Sequence, residues 1–83
     1  MYLHAGNGFS VRCRDIIGIF DFDNASISTV TRRTMSEMQR AGLVVSAAEE
    51  LPKSFILFRD GNTVKLCLSP LSSSALRGRI GVI

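Results

Sequence analysis

Eight of the ten basic residues in this 83-residue chain are arginine, and their placement is the first chemistry that the sequence offers. A guanidinium fork matches the paired oxygens of a phosphate or carboxylate, whereas lysine presents a point charge. Arg12 and Arg14 alternate along one short segment, Arg32 and Arg33 stand together in a helical stretch, and Lys53 precedes a hairpin. The formal net charge is only +3, too mild for one copy to hold a polyanion by charge alone. In a ring or stack of copies each cluster recurs at a fixed spacing, so a modest charge per subunit becomes a continuous phosphate track. Arg12, Arg14, Arg32, Arg33 and Lys53 are therefore the candidate phosphate-binding residues. For any one of them the competing reading is a solvated surface with exchanging salt bridges.

Other chemistries find less support. His4 is the single histidine and has no nucleophile motif around it, so a hydrolytic triad lacks its base and no catalytic residue is expected. Cys13 and Cys67 form no Cys-x-x-Cys pair, and one histidine cannot complete a closed zinc site. Both read as small buried hydrophobes, and neither metal nor cofactor is expected. Gly6-Asn7-Gly8 is too short for a nucleotide loop, with no helix start behind it, and reads as a turn. Asp21, Asp23 and Asn24 resemble the opening of a calcium loop, but the later Gly and bidentate Glu are missing.

The elements that would position these side chains follow from the apolar pattern. With 46% hydrophobic and 20% charged residues, residues 1–83 are expected to form one folded domain. No apolar run reaches the roughly 18 residues of a membrane span, and Met1-Tyr2-Leu3-His4 has no signal-peptide character. No membrane contact and a cytoplasmic location are the expectation. Tyr2 to Ala5 and Phe9 to Arg14 read as two short strands around the Gly-Asn-Gly turn. Asp15 to Phe22 is apolar on both alternations, the pattern of a central strand covered on each side. Ser28 to Ala41 carries Ile27, Val30, Thr34, Met38 and Ala41 at helical spacing, with Asn24, Ser26 or Ser28 as caps and Gly42 as the stop. Leu43-Val44-Val45 reads as a short strand, and Ser73 to Arg79 as a short helix.

Between these helices lies a hairpin, Ser54 to Arg59 and Asn62 to Leu68, turned at Asp60-Gly61. Counting outward pairs Phe58 with Thr63, Leu57 with Val64, Ile56 with Lys65 and Phe55 with Leu66. Phe55, Leu57, Val64 and Leu66 then share one face, and Ile56 and Phe58 the other. So small a domain has little helix with which to cover two apolar faces, and a wet face would be sticky. Ile56 and Phe58 are accordingly the candidate oligomer interface, and the chain is expected to self-associate. The predicted fold is α+β, a small mostly antiparallel sheet with one long helix and a short C-terminal helix.

A family resemblance spans nearly the whole chain. Met1-Tyr2-Leu3-His4 with Gly6-Asn7, Arg14-Asp15-Ile16-Ile17-Gly18-Ile19-Phe20-Asp21, Thr31-Arg32-Arg33, Leu51-Pro52-Lys53-Ser54-Phe55 and Leu68-Ser69-Pro70-Leu71-Ser72-Ser73 resemble the RemB branch of the RemA/RemB family of bacterial extracellular-matrix regulators. The resemblance implies a small cytosolic regulator and, from the RemA branch, a DNA-binding transcriptional regulator of biofilm matrix genes that assembles into rings. In that branch arginines at a strand entry and in the turn before the last hairpin face DNA. Arg14 lies near the first position. The second reads Glu49-Glu50-Leu51-Pro52-Lys53 here, and two carboxylates would repel phosphate. The leading expectation is a non-enzymatic, homo-oligomeric regulator that binds DNA. Its alternative is a protein-interaction subunit that co-assembles with a RemA-like partner without touching DNA.

Overall fold

The path of the chain is set by two hairpins and the turn that leads out of the first. The computed structural model describes residues 1–22 and 29–80; the caps at Asn24, Ser26 and Ser28, the helix position at Ile27, and Asp23 lie outside them. Strand β1 (Tyr2–Gly6) pairs antiparallel with β2 (Phe9–Arg12) as a separate two-stranded sheet. A single 3-10 turn, Cys13–Asp15, then redirects the backbone. It ends β2 at Arg12, so Arg14 stands on a turn and does not continue the strand as expected.

Beyond it come β3 (Ile16–Asp21), α1 (Thr29–Arg40), β4 (Val44–Ser46), β5 (Ser54–Asp60), β6 (Thr63–Ser69) and α2 (Ser73–Ile80). The four later strands form one sheet in the order β3-β5-β6-β4, antiparallel except for the β4–β6 pair. The α+β class with mostly antiparallel sheets is as predicted, but there are two sheets. The helices are both short, 12 and 8 residues, so no long helix is present among the described residues. β3 lies at an edge and not at the centre: its double apolar alternation places Ile19 in the core and leaves Ile17 and Phe20 exposed.

The β5–β6 hairpin turns at Gly61-Asn62, one residue later than the sequence suggested. Phe58 therefore pairs with Lys65, Leu57 with Leu66, and Ile56 with Cys67. Positive φ is confined to the first central residue, Gly61 at 64°, the type II′ pattern. Each pairing moves by two residues, and because strand side chains alternate with period two, both faces keep the membership expected.

What covers them differs. Ile56 and Phe58, assigned above to a subunit interface, are 0% and 6% exposed within the single chain. They pack with Ile19 and Cys67 against Leu3, Ala5 and Val11 of the first hairpin and Leu76 of α2. The first hairpin does not extend the sheet but lies over it, and this removes Ile56 and Phe58 from the surface. The link between layers is polar as well as apolar: buried Ser69 Oγ donates to the Ala5 carbonyl at 2.6 Å.

Both helices have identifiable ends. At the end of α1 the Leu43 N–H reaches the Met38 carbonyl (2.9 Å) and the Gly42 N–H that of Gln39 (3.1 Å), a Schellman closure that needs the φ of 75° at Gly42. At the start of α2, Ser72 Oγ accepts the Ala75 N–H, and Asp21 on β3 accepts both the Ser73 N–H (3.0 Å) and its hydroxyl (2.6 Å).

These bonds from Ser73, with the Arg77 charge nearby, hold the Asp21 carboxyl below its ordinary value of 3.8. A carboxylate lowered in the folded state stabilises the fold above its unfolded pKa, and that contribution disappears as pH falls through the folded value. Asp21→Ala is expected to lower the melting temperature at neutral pH. Thermal melts followed from pH 7 down to pH 2 should show a shallower acid decline than in the parent chain.

Candidate nucleic-acid interface

The turn between the two sheets gathers one basic end. Arg12 closes β2, and its Nε lies 3.3 Å from Asp15 Oδ2 across the 3-10 turn. Arg14 projects from the middle of that turn and lines a cleft with Arg12, Cys13, Met1 and the exposed ring of Tyr2. On the adjoining side, Arg12 and Asp15 share a second cleft with Arg59 and Asp60 from the end of β5. Asp60 is engaged by Lys65 at 2.7 Å, and that bond, with the Lys65 and Arg12 charges, holds its carboxyl below the usual range. Four cations thus face two carboxylates, both of which already have partners. The surplus charge is carried by Arg14 and Arg59, forked donors able to seat phosphate oxygens.

The remaining candidates lie elsewhere. Lys53 precedes β5, whose seven residues separate it from Arg59 by about 20 Å. It shares a cleft with Glu49, Glu50, Leu51, Asn7 and Pro70, so its charge is set against two carboxylates. Arg32 and Arg33 are exposed on α1, which lies over the opposite face of the large sheet. The five predicted side chains therefore occupy three places, and only Arg12 and Arg14 are brought together.

Arg59 and Tyr2 were missed from sequence. The signal for Arg59 lay in pairing β3 with β5, since Ile16 opposite Phe58 sets the start of β3 beside the end of β5. Two further arginines are committed to the fold. Arg77 donates to the Ile19 carbonyl at 2.6 Å and Arg79 to the His4 carbonyl at 3.1 Å. The His4 ring meets Ser10 Oγ across the outer face of the hairpin at 3.3 Å. Among the described residues no three His, Cys, Asp or Glu side chains come together as a metal site, and no helix is long and apolar enough to cross a membrane. Burial raises the Cys67 thiol to about 11 and keeps it protonated and unreactive at neutral pH.

No family model matches the chain. Over 79 residues, 95% of this chain and 89% of the relative, it is 37% identical to the Extracellular matrix regulatory protein B of Bacillus subtilis (strain 168). The chain belongs to the RemB family. The match spans nearly the whole chain and most of the relative. The Glu49-Glu50 pair lies away from the basic end, in the cleft with Lys53.

Proposed function

We propose that this chain is a non-enzymatic cytosolic regulator of extracellular-matrix genes that binds DNA as a self-assembled array, each copy contributing the basic end around Arg12 and Arg14. The regulatory part rests on kinship with a protein named as an extracellular matrix regulatory protein. The DNA-binding part rests on one observation: Arg12, Arg14 and Arg59 converge at an exposed end where the local carboxylates are already engaged. Two or three phosphate contacts per copy give weak binding alone, and repetition along DNA multiplies it. Arg32, Arg33 and Lys53 do not share that end. They enter DNA contact only if assembly places them beside a neighbour's Arg12 and Arg14.

A second reading is favoured by the cleft in which Lys53 sits among Glu49 and Glu50. A phosphate-facing turn would not carry two carboxylates, so this end suits a protein partner, such as a RemA-like regulator, better than DNA. An electrophoretic shift with duplex DNA at low and moderate salt separates the two. Steep loss of binding with salt supports phosphate contact. Absence of any shift at low salt, with partner association that persists in high salt, supports the protein-interaction reading and overturns the first.

A further inference from the structure

The large sheet is sealed on one side only. On the other, α1 leaves a groove of about 250 Å³ walled by Phe20, Phe55, Leu57, Leu66, Met35 and Met38. Its apolar surface is open to solvent: Phe20 in its wall is 46% exposed, and Val64, on the same face of the hairpin as Leu57 and Leu66, is 40% exposed. The groove is smaller than the roughly 300–1,000 Å³ that encloses a drug-sized ligand, and it suits a single branched side chain.

The same chain presents such a side chain. Leu51, between β4 and β5, is 90% exposed. Pro52 stiffens the backbone after it, and Glu49 and Glu50 precede it. This loop cannot fill its own groove. The Lys53 backbone is tied to Ser69 and Phe22, and the loop sits beside Asn7 and Pro70 on the side of the first hairpin. Charge favours a second copy as the occupant: α1, the roof of the groove, carries Arg32, Arg33 and Arg40 against the single Glu37. Arg32, one residue past groove-lining Thr31, stands about 100° round the helix, on the shoulder where an incoming Glu49 or Glu50 would arrive.

We infer that Leu51 of one copy seats in the groove between α1 and the sheet of the next, with Glu49 and Glu50 meeting Arg32 on the helix. The contact joins two different surfaces, so it is heterologous and propagates into a closed ring or an open filament. It rests on the reading of the chain as self-associating, moves the interface from buried Ile56 and Phe58 to the open face, and gives the acidic departure before Lys53 a purpose.

The test is light scattering on purified protein at micromolar concentration. The parent chain is expected above monomer mass. Leu51→Asp, at a position that supports nothing in its own copy, is expected as a folded monomer with an unchanged melting temperature, and Met35→Glu likewise as a monomer. Mixed, the two variants retain one intact knob and one intact socket and should give a one-to-one dimer that grows no further. Glu49→Arg with Glu50→Arg should disperse the assembly, and adding Arg32→Glu should restore it. If Met35→Glu melts early, Val64→Glu at the exposed rim replaces it. A monomeric parent, a Leu51→Asp protein of parental mass, or a mixture that stays monomeric overturns the inference. DNA contact by the basic end fails separately, through a salt-insensitive or absent shift; of the masses, only a monomeric parent would also remove the array.

Discussion

Phe58→Asp is expected to unfold the chain instead of releasing folded monomers. The Phe58 ring is 6% exposed, lies 6.1 Å from that of Phe9, and packs in the cluster that joins the first hairpin to the sheet. Truncating a buried phenylalanine costs about 3–5 kcal/mol, and a carboxylate left there without a partner adds to that. A chain of this length has only about 4–12 kcal/mol of total stability. Far-ultraviolet circular dichroism with a urea titration should show loss of the cooperative transition. Val64→Asp, on the open face, is expected to keep it. A Phe58→Asp protein that melts cooperatively as a monomer would return Phe58 to a subunit interface and undo the account of the core given above.

That outcome turns on a layer the sequence did not announce. The alternation in β5 and β6 identified both apolar faces correctly, and it survived a turn placed one residue early because the resulting slip in pairing was even. The stop at Gly42 and the helix beginning at Ser73 were readable from local chemistry alone, since a left-handed residue and a serine cap act within a few positions. Which face is covered, and by what, is a long-range property. It depends on the 3-10 turn at Cys13–Asp15 folding β1–β2 over the sheet, and nothing in Arg12-Cys13-Arg14-Asp15 distinguishes a turn from a strand end. The same turn decides the basic end. Arg12 and Arg14 were visible as a pair, but Arg59, 45 positions beyond Arg14 in sequence, joins them only through the β3–β5 register. Arg77 and Arg79, on α2, are bonded to backbone carbonyls and do not join that end.

Arg12→Ala with Arg14→Ala should weaken DNA binding and flatten its dependence on salt while leaving the fold almost unchanged. Both side chains are exposed, and the one ion pair lost, Arg12 with Asp15, is half in solvent and worth at most about 1 kcal/mol. Each phosphate contact contributes about 0.9 to the slope of log affinity against log salt. Two contacts per engaged copy then account for about a tenfold loss of affinity between about 50 mM and about 200 mM salt. The double variant is expected to lose that part of the dependence and to keep only the shallower slope that Arg59 supplies, copy for copy, in fluorescence anisotropy titrations. Asp15→Asn should act in the opposite direction, releasing Arg12 and raising affinity most at low salt, where an unpaired guanidinium is least screened. Arg32→Ala with Arg33→Ala separates charge that touches DNA from charge that touches a neighbour: it should reduce assembly mass and lower affinity by that route without changing the slope per bound copy. A double Arg12/Arg14 variant with the parental slope would place the phosphate contacts on α1 or at Lys53, and the end gathered by the 3-10 turn would then serve some other anion.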